Sequence, residues 1–306
     1  MASKKNDPYA TTSVRRGGSS ARGILLCFLS ASLFAVSILF SKVVYQYGVG
    51  PLFFGFVRAV FCISICAVFI TIKGGEWLMP KPSRQYILPM SLMLLMISFG
   101  HPTAMKFIPA SLASLLFYLW PMLVLVIISV QNRQFPGIRR IAIFSVAFVG
   151  LGFVFGPSIG EVRWEGVVAA LIAALGAGMF IILIPKATET ASSMTININT
   201  NIPVALVLLC GAVLYEDFQT PTETMGLYAL MASGLLYGLA MVVIFYAVTK
   251  TGPVVSSVLF NAEPLIVTLL ATTLFAEILQ PLQYWGILTV VAAMMFASAR
   301  SASHEK

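Results

Sequence analysis

Charge is what this sequence lacks most. Of its 306 residues only 10% are Asp, Glu, Lys or Arg, where a water-soluble domain of this length carries about a quarter. Too few ionic side chains remain to cover such a globule in water. That excludes a cytosolic enzyme, a disordered scaffold and a nucleic-acid reader. Cysteine and histidine are scarce too, at four and two. Cys62 and Cys66 share a helical face, but no His or carboxylate accompanies them in the sequence. They read as small buried hydrophobes, so no metal site, disulfide framework or resident cofactor is expected. The chain has no GxxxxGK[ST] loop, which argues against ATP drive. It has no HExxH or GxSxG either, so an intramembrane enzyme is the weaker expectation.

What is abundant is apolar. Hydrophobic residues make up 59% of the chain and the mean hydropathy is +0.94. A membrane span needs about 20 mostly apolar residues. Reading between turn signals predicts ten: 23–45, 50–72, 86–106, 109–129, 138–156, 164–185, 196–215, 226–249, 253–276 and 282–300. The expected fold class is therefore all-α integral membrane. Residues 1–21 read as a flexible basic cytoplasmic tail and 301–306 as a short polar one. The connections are too short to hold a soluble catalytic domain.

The sparse charges are unevenly distributed. With the N-terminus inside, 15 of the 19 basic residues fall on the cytoplasmic side. Lys42, Lys106 and Arg163 fall outside, the two lysines snorkelling to the interface, and Arg58 alone lies within a span. The positive-inside rule then predicts N-in, C-in topology in a bacterial inner or other cell membrane. The carboxylates Glu161, Glu165, Glu216, Asp217, Glu223 and Glu277 gather outside. The net charge of +8 is an orientation label, with lipid as the surrounding partner and no nucleic acid.

Sliding the sequence on itself by 143 residues superposes spans 1–5 on spans 6–10 without a gap. The run Ser114–Val124 lies over Ser257–Val267 with Ser, Leu, Phe, Pro and Val coincident. Five is an odd number, so the second half enters the membrane inverted. Two inverted five-helix repeats, 22–156 and 164–300, are a recurring build for secondary transporters, with the substrate near the midplane between them. Near-equal halves can exchange roles, so inward-open and outward-open states have similar energy.

The repeated unit resembles the EamA-type domain of the drug/metabolite transporter superfamily. The resemblance is carried by Tyr246–Ser257, Ala262-Glu-Pro264, Phe275-Ala-Glu277 and Gln283-Tyr-Trp-Gly286. In the first half it is carried by Pro109–Ser114 and Tyr118-Leu-Trp-Pro121. It covers residues 22–300 and implies a ten-helix transporter of small molecules. The family often ends its fourth span in Gly-Glu, where this chain has Gln134, so no carboxylate role falls there. The Tyr-Leu-Trp-Pro run is similar to that of aromatic amino-acid exporters in the family.

Polar groups inside a membrane are costly and usually face a cavity or a partner. Glu263 lies near the middle of the ninth span; it binds a proton or a cationic substrate group, or is a fixed hydrogen-bonding partner. Pro121 and Pro264 each remove a helical hydrogen bond mid-span, Pro264 freeing the Phe260 carbonyl, which predicts kinked helices. Tyr118 and Trp120 are the repeat equivalents of Asn261 and Glu263. Ser111, Ser114, Tyr118 and Pro121 share a face, as do Ser257, Asn261 and Pro264. Trp120 is about 16 Å deep, below an interfacial aromatic belt, and either stacks on substrate or packs. Arg58 clamps a substrate carboxylate, snorkels, or pairs with Glu263. Its repeat mate Asn201, one turn beyond Asn197, either reads a polar ligand or holds helices together. His101 either relays protons or is a structural residue. Gly152 with Gly156, and Gly234 with Gly238, have the spacing of close helix packing.

These residues predict a secondary exporter of small metabolites, amino acids or drug-like amphiphiles, with protons the default coupling ion and facilitated diffusion equally compatible. Bundles rock about a cavity lined by spans 2, 3, 4, 7, 8 and 9. An importer of a nucleoside or cofactor on the same fold is the alternative, and a non-transporting membrane protein a weaker one. Oligomeric state is not legible.

Overall fold

The computed structural model describes residues 21–156, 162–215, 217–274 and 280–303. The tail before Ala21, the end after Ser303, Glu161, Glu216, Glu277 and the side chains of Lys42, Lys106 and Ser111 lie outside the described residues. Every regular element among the described residues is helical.

The first half comprises α1 (Ala21–Gln46), α2 (Pro51–Lys73), a 3₁₀ turn (Lys81–Tyr86), α3 (Ile87–Phe107), α4 (Ala110–Phe117), α5 (Trp120–Gln131) and α6 (Ile138–Phe155). The second comprises α7 (Trp164–Ala187), α8 (Ser193–Leu214), α9 (Thr224–Thr251), α10 (Pro253–Leu259), α11 (Ala262–Leu274) and α12 (Pro281–Ser303). Eight helical stretches are long and apolar enough to cross a membrane, and α12 carries a shorter apolar one, Pro281–Phe296. This is an integral, multi-pass membrane protein. α12 runs on to Ser303.

Spans four and nine are each two helices rather than one bent helix. The first breaks at Tyr118–Leu119 and the second at Phe260–Asn261. Pro121 is the second residue of α5, where its missing N–H costs nothing. In the ninth span the Phe260 carbonyl is not left free: the Glu263 N–H reaches it at 3.0 Å, tightening the break into a 3₁₀-like turn. Gly252, at φ 77° and ψ 159°, turns the chain from α9 into α10, a conformation L-residues rarely adopt.

The halves interlock. α1 packs on α9 and α3 on α7; α2 lies against α8, and α6 against α12. Exchanging the halves turns the first pair into the second and returns the other two to themselves. The symmetry reaches individual atoms. Gly23 approaches Lys250 and Thr251, while its mate Gly166 approaches Phe107 and Ile108, which are the mates of those two residues. Loops cross over in the same way. The Asp217 carboxylate accepts the Leu52 N–H at the start of α2 (2.7 Å), capping a helix from the other repeat. At the opposite end Thr195, the mate of Leu52, donates to the Glu76 carbonyl at 2.6 Å.

Glycine spacing identified one packing seam and misread another. Gly234 and Gly238 do face α2, where added Cβ atoms would fall 2.5 Å from Phe61 and 2.6 Å from Ile65. Among the described residues nothing lies within 4 Å of a Cβ added at Gly152 or Gly156. The close approach in that region is made by Gly150 and Gly286, whose backbones bring α6 and α12 together.

Candidate functional site

Both helix breaks lie where the repeats meet, and they bring the sequence candidates together selectively. The Tyr118 hydroxyl, at the first break, donates to the Glu263 carboxylate, just past the second. The bond joins the halves. On the far side of Tyr118 the Phe117 ring lies 5.5 Å away, and the His101 ring is 5.0 Å beyond that. His101 neighbours the site through the Phe117 ring. Its partner is Phe117.

Arg58 approaches from α2. Its Nη2 donates to Ser37 Oγ of α1 at 2.7 Å. The guanidinium carbon stands over the Phe54 ring at 4.5 Å and the Tyr237 ring of α9 at 4.8 Å. Arg58 and Glu263 feel one another electrostatically, but they do not form an ion pair within 4.0 Å. The direct pairing weighed from the sequence is therefore not made, because Tyr118 holds the carboxylate and the rings hold the guanidinium. Arg58 and Glu263 are both only half-buried although helices of both repeats surround them.

Other candidates fall elsewhere. Trp120 is 5% exposed and its ring lies 6.3 Å from that of Phe260, so one aromatic from each break meets the other. Asn201 donates within its own helix to the Asn197 carbonyl (2.9 Å) and does not join Arg58. Asn197 donates to the Ser193 carbonyl and, at 3.5 Å, to that of Met241. These asparagines tie α8 internally and to α9. Asn261 is buried with its Oδ1 unpartnered. The face shared by Ser114, Tyr118 and Pro121 does not continue across the break.

Sequence reading missed the aromatic setting of Arg58. Phe54, Tyr237, Phe34 and Tyr45 form a chain of ring contacts 5.3 and 5.7 Å apart on either side of the guanidinium. Phe54 was findable, since it lies one helical turn before Arg58. Tyr237 was not, because its sequence position carries no periodic signal. A groove of about 540 Å³ between α5 and α6 includes Leu125, Ser129 and Arg133 but none of the predicted site residues.

The two ends of the bundle are closed unequally. Among the described residues α5 packs on α10 more extensively than the symmetry-related α11 packs on α4. Burial differs in the same sense at two pairs of repeat mates. Ser257 and Val124 are buried, while their repeat mates Ser114 and Val267 are half-buried. The Trp120–Phe260 contact joins the start of α5 to the end of α10.

Two broken helices crossing between interlocked repeats, with a bonded carboxylate at the crossing, define a membrane carrier fold. The chain belongs to the EamA-like transporter family, whose model matches residues 21–156 and again 164–299. Both matches follow the structural repeat. A solved crystal structure of 16% sequence identity superposes with a TM-score of 0.79, over 94% of this chain and 99% of its own, which shows the fold. No curated protein matches the chain.

Proposed function

We propose that this protein is a secondary exporter of small metabolites, with amino acids and drug-like amphiphiles the leading classes. It works by alternating access around Glu263, with ten spans and both termini inside. The observation that carries this reading is the Tyr118–Glu263 bond, made between the two helix breaks where the repeats meet. Broken helices are tolerated at membrane depth only where they meet protein or line a wet cavity. A carboxylate there holds either a proton or a cationic group of the cargo. Tyr118 of the broken fourth span and Arg58 of α2 are the titratable and charged groups that face it. In the N-in orientation the open end is extracytoplasmic. Exchanging the conformations of the halves would close α4 on α11 and part α5 from α10, which supplies the second state.

Reconstitution tests the activity. Labelled amino acids and amphiphilic cations are expected to exchange across proteoliposomes containing the full chain, with a rate that responds to a pH gradient. Movement of no compound from either class would overturn the reading. The open end is tested separately by single cysteines in a Cys210→Ser background, since Cys27, Cys62 and Cys66 are buried. In right-side-out membranes Ser114→Cys and Val267→Cys should react with an impermeant maleimide, and Ser257→Cys and Val124→Cys should not. The opposite pattern would reverse the assignment of open and closed ends.

A further inference from the structure

Helices joined by a short turn usually pack side by side, but α5 and α6 touch only slightly. α5 leans on α7 and α10, and α6 on α12. The gap between them is the groove of about 540 Å³. Its floor is formed by Leu125, Ser129 and Phe144, all buried, and its rim by Val130 and Phe135, both exposed. The lining runs from Met122 to the end of α5, about 14 Å at the helical rise. That is roughly the hydrocarbon depth of one leaflet. Arg133 stands at the polar end of the groove. α5 closes with the Gln134 N–H on the Ser129 carbonyl (3.0 Å) and the Arg133 N–H on that of Val130 (3.1 Å). This pattern puts residue 133 at φ 51°, a position that glycine usually fills. Arg133 is the one non-glycine residue at positive φ among the described residues. It is exposed, and no carboxylate among the described residues lies within 4.0 Å of it. Arg139 and Arg140 follow, and the chain holds no Asp or Glu between Glu76 and Glu161. The apolar groove ends in uncompensated positive charge.

We propose that this groove is a binding site for one anionic phospholipid. An acyl chain lies between α5 and α6, and the phosphate oxygens take the guanidinium fork of Arg133. Arg139, outside the groove, adds attraction at longer range. A zwitterionic phospholipid offers the same chains but carries its own cation, so it competes poorly. A second copy of the chain seated here across a two-fold axis would bring like arginines together. In the N-in orientation the lipid belongs to the cytoplasmic leaflet. The site needs only that these helices cross a membrane, whatever the chain carries.

The test compares phosphatidylglycerol, phosphatidylcholine and inorganic phosphate on the detergent-solubilised full chain. Native mass spectrometry reads bound lipid, and thermal unfolding reads stability. The wild type should retain one phosphatidylglycerol about fivefold more tightly than phosphatidylcholine, and phosphate alone should not shift unfolding. Arg133→Gly should lose that preference. Without lipid it should unfold no lower than the wild type, because glycine suits the left-handed position. Val126→Trp narrows the groove, leaves every arginine in place and should weaken retention by a similar factor. Arg139→Gln should weaken it less. Equal retention of both lipids, or equal losses in Arg133→Gly and Arg139→Gln, would overturn the site in favour of diffuse surface charge. Stabilisation by phosphate alone would replace it with a free-anion site, and chains paired without lipid would give the groove to a second copy. Each of these readouts is independent of transport, so the carrier reading stands or falls separately.

Discussion

Glu263→Gln should leave a folded protein whose transport no longer responds to pH. Glutamine has nearly the shape of glutamate and still offers an oxygen to the Tyr118 hydroxyl, so the bond joining the halves persists. What disappears is the charge. Arg58 then loses the one carboxylate that faces it electrostatically, and a cationic end of the cargo loses its partner. Removing one member of a buried hydrogen-bonded charge pair typically costs about 2–5 kcal/mol. Apparent affinity should therefore fall by roughly 30-fold or more. The decisive measurement is exchange with and without an imposed pH gradient. Wild-type rates should differ between the two conditions and Glu263→Gln rates should not. A variant that keeps the full wild-type pH response would show that the coupling group is elsewhere.

The largest expected loss of stability is at a position with no functional chemistry. A Cβ on Gly286 would lie 2.6 Å from the Val154 backbone nitrogen and 2.7 Å from the Gly150 carbonyl oxygen. Both are backbone atoms of α6 and cannot rotate away. Gly286→Ala must force α12 off α6, and overpacking of this kind costs about 1–3 kcal/mol. Against that stands the gain of about 1 kcal/mol for replacing glycine within a helix. Packing should win, since α6 is the principal neighbour of α12 and helices in lipid associate chiefly through such close contact. Gly152→Ala is the control: nothing lies within 4 Å of its Cβ, so only the propensity gain remains. Thermal unfolding in detergent should place Gly286→Ala below wild type and Gly152→Ala at or above it. Equal midpoints for the two variants would refute the α6–α12 seam.

The contrast between these glycines shows where sequence reasoning stops. Spacing alone put Gly152 and Gly156 in the same class as Gly234 and Gly238. Only the latter pair meets another helix, because the rotation of each helix about its axis is set by neighbours distant in sequence. The candidate site divides similarly. Glu263, Tyr118 and Arg58 were legible because a polar group inside an apolar run needs a reason. Their mutual arrangement was not. The sequence left Arg58 open to pairing with Glu263, whereas the fold interposes Tyr118 on one and Phe54, Tyr237 and Ser37 on the other. Trp120 drew notice for its depth, and the structure turns it against Phe260.

The shortage of charge, read alone, determined a membrane protein; the 143-residue self-similarity determined two equivalent halves. Both are properties of a one-dimensional pattern: hydropathy follows from composition along the chain, and a repeat is detectable wherever its two copies lie. Which end of the bundle is closed is a different kind of fact. Equivalent sequences in the two halves predict equivalent contacts, yet among the described residues α5 packs on α10 more extensively than α4 packs on α11. A nearly symmetric chain can hold only one of its two asymmetric states at a time, and tertiary packing chooses between them.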